Sequence, residues 1–200
     1  MADPVAPTDA YPIRFDLPRP ERIANWRPLV HWLLAIPQLI VAGVLQAVAG
    51  VIVFIGFFAV IFTRRWPASL LGFLAMTYRY SMRTTSYALF LREPYPPFEF
   101  DPTLDDRSGD PAAFEVDDPG EMHRFAPLYQ WILAIPHHVI LFFLFIAAYV
   151  VALIGFFAVL FTGRWPDSLA RFMIGVGRWY IRVQAYTSFM TNRYPPFSLD

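Results

Sequence analysis

A thirteen-residue apolar stretch occurs twice in this chain, and this repetition constrains the fold more than any other feature. IGFFAVIFTRRWP occupies residues 55–67, and IGFFAVLFTGRWP occupies residues 154–166. A shift of 99 residues aligns 15–101 with 114–200 without a gap, and 35 of these 87 aligned pairs are identical. The sequence therefore predicts two copies of one structural unit.

The repeat divides the chain into four predicted segments. Residues 1–10 are expected to be a disordered N-terminus, and 11–101 form membrane repeat 1. An acidic linker, 102–113, rich in Asp and Pro, connects it to membrane repeat 2 at 114–200. Tandem copies of a membrane unit occur in many transporter folds, and they also occur in proteins that only widen a membrane module.

The composition indicates a membrane protein. The chain is 56% hydrophobic and only 16% charged, whereas soluble domains are about 25% charged. It has no cysteine, which excludes disulfides, thiolate metal sites and cysteine nucleophiles. All sixteen basic residues are arginine.

Each repeat begins with an extended acidic lead-in, FDLPRPERI or FEVDDPGEM, and continues with an apolar stretch that starts at Pro28 or Pro127. Pro37 and Pro136 are expected to break this stretch near its start. A second helix follows RRWP or GRWP, and a YPPF tail ends the unit. The pattern predicts an all-α integral membrane protein with two tandem repeats, each a long apolar helix followed by an Arg-striped amphipathic helix.

The motifs WLLAIP, GFFAVLFTGRWP, RWYIRVQAY and RYPPFSLD resemble those of a bacterial membrane family known as domain of unknown function 4389. The resemblance covers both copies, and the second copy is the closer match. It implies a membrane location and brings no activity, substrate or cofactor with it.

The long apolar segments are expected to lie in the bilayer. Segment 38–62 holds 16 Leu, Ile, Phe or Val residues and no charge, which favours insertion by about 5–10 kcal/mol. Its copy is 137–161. In the following helix, two central arginines raise the free energy of membrane insertion by about 5–7 kcal/mol, which is more than the apolar residues of that helix lower it. That helix is expected either to lie in the interface or to bury its arginines against partners.

The arginine stripe is the most informative polar feature of the sequence, because its spacing places the side chains on one helix face. The candidate lipid or anion contacts are Arg79, Arg83, Arg171, Arg178 and Arg182. The candidate structural ion-pair partners are Asp16, Asp101, Glu115 and Asp200. Trp66 and Trp165 are expected to be interface anchors.

If both repeats share one orientation in the membrane, each repeat must cross the bilayer an even number of times. Two layouts meet this requirement. In the first, the apolar stretch folds back as a hairpin and the arginine helix lies flat. In the second, the stretch crosses once and the arginine helix crosses back. The segment FFLFIAAYV contains no helix-breaking residue that would form the turn of a hairpin. We therefore favour four crossings with the arginine helices inside a bundle. The termini and linker are then expected in the cytoplasm, at the bacterial inner membrane.

No nucleophile–base pair, phosphate loop or zinc spacing is present in the sequence. We therefore expect a non-enzymatic membrane module without cofactors, an accessory or scaffold protein that binds the lipid bilayer and another membrane protein or itself, and no nucleic acid. Two alternatives stay open: a small transporter or anionic-lipid-binding protein that uses the arginine stripe, and a membrane-shaping hairpin protein.

Overall fold

A computed structural model of the chain describes residues 11–19 and 22–200. The expected disorder of residues 1–10 lies outside the described residues. The elements are β1 (Ile13–Asp16), α1 (Arg27–Thr63), α2 (Ala68–Ala88), β2 (Ala113–Val116), α3 (Ala126–Leu133), α4 (Ile135–Thr162) and α5 (Asp167–Thr187). The chain is mostly helical as predicted, with one difference: the lead-ins of the two repeats form a small sheet, so the protein is not purely α-helical.

The apolar stretch of repeat 1 is one unbroken helix. α1 has 37 residues and continues through Pro37, so the predicted break at that residue is wrong. In repeat 2 the helix is interrupted at Ala134, just before Pro136, which separates α3 from α4. Neither stretch folds back on itself, which removes the hairpin layout.

Both long helices end in a residue with left-handed backbone geometry. Arg64 has φ 60° after α1, and Gly163 has φ 68° after α4. A left-handed residue at this position ends a helix and turns the chain, and glycine adopts it without steric cost. The turn lets α2 and α5 run back along α1 and α4, so that each repeat is an antiparallel helical hairpin.

The two repeats are related by a pseudo-two-fold axis that passes through the sheet. β1 and β2 pair antiparallel, and Phe15 lies opposite Phe114. These two residues are equivalent under the 99-residue shift, so each repeat presents the same surface to the other. This is the isologous arrangement of a symmetric dimer, achieved here within one chain.

The long helices of the two repeats run in opposite directions. At one end of the molecule, the Ile23 N–H donates to the Gly163 carbonyl over 2.9 Å, which joins the chain before α1 to the end of α4. At the other end, the Met122 N–H donates to the Arg64 carbonyl over 2.7 Å, which joins the chain before α3 to the end of α1. The pseudo-two-fold axis is therefore roughly perpendicular to the long helices.

Trp66 and Trp165 are internal residues that connect the repeats, which corrects their expected role as interface anchors. They are 8% and 5% exposed. The Trp66 indole N–H donates to the Phe189 carbonyl, and the Trp165 indole N–H donates to the Phe90 carbonyl, each over 2.7 Å. A buried indole needs such a partner, and here the partner comes from the other repeat.

Each of these indole rings fits against a glycine of the preceding long helix. A Cβ atom at Gly56 would overlap the ring of Trp66, and one at Gly155 would overlap the ring of Trp165. We predict that Gly56→Ala lowers the free energy of unfolding by about 1–3 kcal/mol, because overpacking must displace the indole. Thermal unfolding of the detergent-solubilised protein measures the change.

Gly50→Ala on the same helix is the matched control, since a Cβ there meets nothing within 4 Å. It should leave stability unchanged or raise it, because alanine favours helix over glycine. Equal destabilisation by the two substitutions would contradict the packing argument.

Candidate functional site

The outer surface of the long helices is apolar along its whole length. α1 buries a single stripe that includes His31, Ala35, Ala42, Ala49 and Gly56, and the rest of its circumference is uncovered. We call the exposed apolar side of α1, α3 and α4 the membrane face. Its largest exposed side chains include Trp32, Leu33, Ile40, Val44, Val51, Phe54, Phe62, Trp131, Phe142, Phe143, Tyr149, Leu153 and Phe161.

Among the described residues, two helices are long and apolar enough to cross a membrane. They are Arg27–Thr63 and Ile135–Thr162, and only 22% and 17% of their most apolar windows are buried inside the protein. The core helix of a soluble protein is mostly covered by its neighbours, and these two are not. By length, composition and exposure, both helices are candidate membrane spans.

The amphipathic helices are covered on several sides. In α2, Tyr80 donates to the side chain of Gln38 in α1, and Arg79 donates to the Phe114 carbonyl of β2 over 3.1 Å. Neighbouring residues of a helix point about 100° apart, so α1 and the sheet pack on different faces of α2. We call β1, β2 and the connecting segment 101–112 the polar cap.

Arg79 and Arg83 are fixed by the polar cap. The Arg83 guanidinium binds Asp106 at 2.8 Å and Glu99 at 2.7 Å, and Asp110 lies 3.6 Å away. The side chains of Arg83 and Asp106 are 2% and 3% exposed. Arg79 donates to the carbonyls of Thr103 and Asp105.

These contacts correct the expected lipid or anion role of the two arginines, because their donors are used inside the protein. A buried guanidinium is stable only when carboxylates and carbonyls replace its water, and here the linker supplies them.

The same contacts act on the carboxyl group of Asp106. Burial by itself would raise its pKa, but hydrogen bonds from the Ser108 hydroxyl and the Phe114 N–H, together with the charge of Arg83, outweigh it. The pKa of Asp106 is therefore lower than that of an ordinary aspartate. At neutral pH this group is therefore a charged carboxylate within the cap.

The arginines of repeat 2 lie in a different environment. Arg178 binds Asp16 at 2.8 Å, and the Arg182 guanidinium lies over the Tyr11 ring at 5.9 Å from its centre. Arg171 is exposed and lines a groove with Arg19, Arg178 and Asp200. No stretch equivalent to 102–112 covers this side among the described residues, so repeat 2 keeps its arginines partly open to solvent.

The four carboxylates that were expected to be ion-pair partners make different contacts. Asp16 pairs with Arg178, whereas Glu115 pairs with Arg14 at 3.3 Å across the sheet. Asp101 offers Arg79 its backbone carbonyl, and Asp200 lies in the groove beside Arg178. Within the described residues, Asp16 is the one carboxylate of the four whose side chain pairs with an arginine of the stripe, and Glu115 forms its ion pair with Arg14 instead.

Sequence reasoning missed the carboxylates that bind the repeat 1 arginines most closely. Asp106 and Asp110 lie in the linker, outside the duplicated part, and Arg92 pairs with Asp110 at 2.6 Å. The repeat does not point to them, because they lie outside the aligned residues 15–101 and 114–200. The run DDRSGD, with Asp, Ser and Gly at turn positions, was the available signal.

Gln38 and His137 occupy equivalent positions and hold equivalent partners. Gln38 accepts from Tyr80, and His137 Nδ1 accepts from the Trp179 indole N–H over 2.9 Å. Both are fully buried. They connect the long helix to the amphipathic helix in each repeat, which is a packing role.

Within residues 11–19 and 22–200, no group of three or more His, Asp or Glu side chains is placed to hold a metal ion. The buried charged cluster is saturated by internal partners. The open features are the membrane face and a cavity between the repeats.

Comparison with known proteins identifies one family. The family described as Domain of unknown function (DUF4389) matches residues 25–99 and again residues 126–198. Neither a curated protein nor a solved structure matches the chain.

The carboxylate of Asp106 should stabilise the fold in a pH-dependent way. Because its pKa is lowered by folding, its contribution is complete above the pKa of an unfolded aspartate, about 3.9. It is lost as the pH falls through the lower pKa of the folded state. We predict that Asp106→Asn lowers the free energy of unfolding at pH 7 by about 3 kcal/mol, since it leaves Arg83 short of one partner.

Thermal unfolding of both proteins between pH 7 and pH 3 measures the effect. The gap between wild type and Asp106→Asn should narrow at the acid end. Asp105→Asn, at a side chain that is 69% exposed, is the control and should match wild type throughout. A gap that stays constant with pH would contradict the assignment.

Proposed function

The chain belongs to the DUF4389 family, with two copies in tandem, and we propose that it is a non-enzymatic membrane module that lies along one leaflet of the bilayer. In this arrangement the membrane face of α1, α3 and α4 is embedded in lipid, and the long helices run parallel to the bilayer plane. The polar cap stands in water. The observation that carries the proposal is the position of the cap beside the middle of the long helices.

The length of α1 favours this orientation. A helix of 37 residues is about 55 Å long, whereas the hydrocarbon core is about 30 Å thick. An upright helix would extend far beyond the core at its apolar ends. A helix that lies in the plane can bury its whole exposed face at the boundary of headgroups and acyl chains.

The level of the cap gives the stronger argument. Arg79 and Arg83, which hold the cap, are near the middle of α2, and their neighbour Ser81 binds Gln46 at the middle of α1. If the long helices crossed the bilayer, the cap would therefore lie at its midplane. In the plane of the bilayer, the same helices place the cap on the aqueous side.

The cap carries charges that lipid does not tolerate. Asp105 and Arg107 are 69% and 72% exposed, and each charge at the bilayer centre costs about 2.5–3.5 kcal/mol. The sheet adds the exposed pair of Arg14 and Asp117. These charges carry no such cost when the cap faces water. The lower free energy of the charged residues therefore supports the in-plane arrangement over the four crossings that the sequence favours.

The in-plane arrangement also keeps both repeats in one orientation relative to the membrane. The pseudo-two-fold axis then stands along the membrane normal, and the linker and the C-terminus share the aqueous side. In a bacterial cell we assign that side to the cytoplasm. The module would act as an accessory or scaffold protein, with the cap and the exposed groove of repeat 2 available to other proteins.

Cysteine labelling tests the arrangement, and the cysteine-free chain makes it clean. Single variants Thr63→Cys, Thr162→Cys and Arg107→Cys are expressed in cells, and inside-out and right-side-out membrane vesicles are prepared from those cells. An impermeant maleimide should reach all three from the cytoplasmic side only. Because α1 and α4 are antiparallel, a crossing layout would place Thr63 and Thr162 on opposite sides.

A cysteine at Phe54, in the middle of the membrane face, is the control and should resist the impermeant reagent while reacting with a permeant one. Labelling of Thr63→Cys and Thr162→Cys from opposite faces would refute the in-plane proposal. Labelling of Phe54→Cys by the impermeant reagent would refute burial of the membrane face.

Membrane shaping is a second candidate, because the in-plane helices would enlarge one leaflet only. We predict that the purified protein, added to liposomes at increasing protein-to-lipid ratio, makes them smaller or tubular. Electron microscopy measures the change. Liposomes that keep their size at saturating protein would exclude this role and leave the module as a scaffold.

A further inference from the structure

A cavity of about 550 Å³ lies between the two repeats. It is lined by α1, α2, α4 and α5, and many of its residues are equivalent pairs under the 99-residue shift, such as Gln46 with Phe145 and Ser81 with Tyr180. Its volume is in the range of cavities that hold small ligands, about 300–1,000 Å³. The cavity is thus a product of the duplication and exists in neither repeat alone.

Part of the cavity lining lies on the membrane face, and we call this part the mouth. Leu39 and Phe145 belong to it, and both are exposed apolar side chains of the long helices. Gly43 also lines it and has open space in front of its α-carbon. A molecule dissolved in lipid therefore meets the opening directly.

The lining combines apolar side chains with uncharged hydrogen-bonding groups. Met82, Met173 and Ile181 provide apolar surface, and the polar groups come from Ser, Thr, Tyr and Gln side chains. None of the charged residues in the described part of the chain lines the cavity. A phosphate or carboxylate head would lose its water without gaining a counter-charge, so the lining selects an uncharged head.

The polar groups of the lining include a hydrogen-bonded pair. The Gln46 amide N–H donates to the Ser81 hydroxyl oxygen over 3.0 Å, and both residues are half-buried and line the cavity. This bond uses one N–H of Gln46 and one lone pair of Ser81, which leaves the Ser81 O–H and the Gln46 side-chain oxygen able to bind a polar head in the cavity.

We propose that this cavity binds a membrane amphiphile with an uncharged hydroxyl- or carbonyl-bearing head, with the head at Gln46 and Ser81 and the tail toward the mouth between Leu39 and Phe145. Monoacylglycerols are the simplest lipids of this chemistry. The site goes beyond the scaffold role, and it does not depend on how the helices are oriented in the bilayer.

The test uses the full chain in phosphatidylcholine vesicles and a monoacylglycerol with a photoreactive diazirine in its acyl chain. Cross-links mapped by mass spectrometry should fall on peptides that line the cavity, saturate with probe, and be displaced by monooleoylglycerol. Hexadecane, which lacks a head, and oleate at pH 9, which is charged, should compete at least tenfold less well.

Two pairs of variants separate recognition from folding. Ser81→Ala removes the hydroxyl, and it should weaken competition by monooleoylglycerol about three- to tenfold. Ser86→Ala is its control, because Ser86 lies on the same helix but outside the cavity lining. Gly43→Phe should block the mouth and abolish the cross-links, whereas Gly50→Phe, on open surface of the same helix, should not.

Unsaturable cross-links spread over the membrane face, equal effects of Ser81→Ala and Ser86→Ala, or equal competition by hexadecane would each overturn the proposal. None of these results bears on the cysteine labelling, which tests the orientation of the protein. The two proposals can therefore fail separately.

Discussion

The exposed apolar surface of the two long helices is the constraint on which the rest of the structure depends. α1 carries no charge between Arg27 and Arg64 and covers only one stripe of its circumference with protein. Water does not tolerate an apolar area of this extent, so this side requires lipid or a partner. The charged residues must then gather elsewhere, and the fold places them in the polar cap and at the ends of the helices.

Internal duplication supplies two such helical hairpins, and each packs against the other. Each hairpin alone would leave the inner faces of its amphipathic helix uncovered. When the two associate through a pseudo-two-fold axis, Tyr78 of α2 hydrogen-bonds to Ser188 at the end of α5, and the indoles of Trp66 and Trp165 bind carbonyls of the opposite repeat. The association leaves the cavity between the hairpins, which is why the proposed binding site and the repeat interface occupy the same place.

The repeats have diverged at the arginine stripe. In repeat 1 the linker folds over α2, and Asp106 and Asp110 neutralise Arg83 within the protein. In repeat 2 the equivalent Arg182 meets the Tyr11 ring, and Arg171 stays exposed. Similar helices thus serve two purposes: one is a structural centre and the other presents charge at the surface. The difference arises because the linker covers α2, whereas no described segment covers α5 in the same way.

The sequence by itself determined the two copies, the long apolar helices, the amphipathic helices behind each RWP motif and the family. The copies and the helices follow from local periodicity, composition and the 99-residue repeat, and the family follows from the resemblance of its motifs; none of these needs knowledge of distant contacts. Only the tertiary structure decided the antiparallel placement of the repeats, the burial of Trp66 and Trp165, and the pairing of Arg83 with Asp106. Each of these depends on residues far apart in the chain, and local pattern carries no information about which distant groups a buried donor will meet.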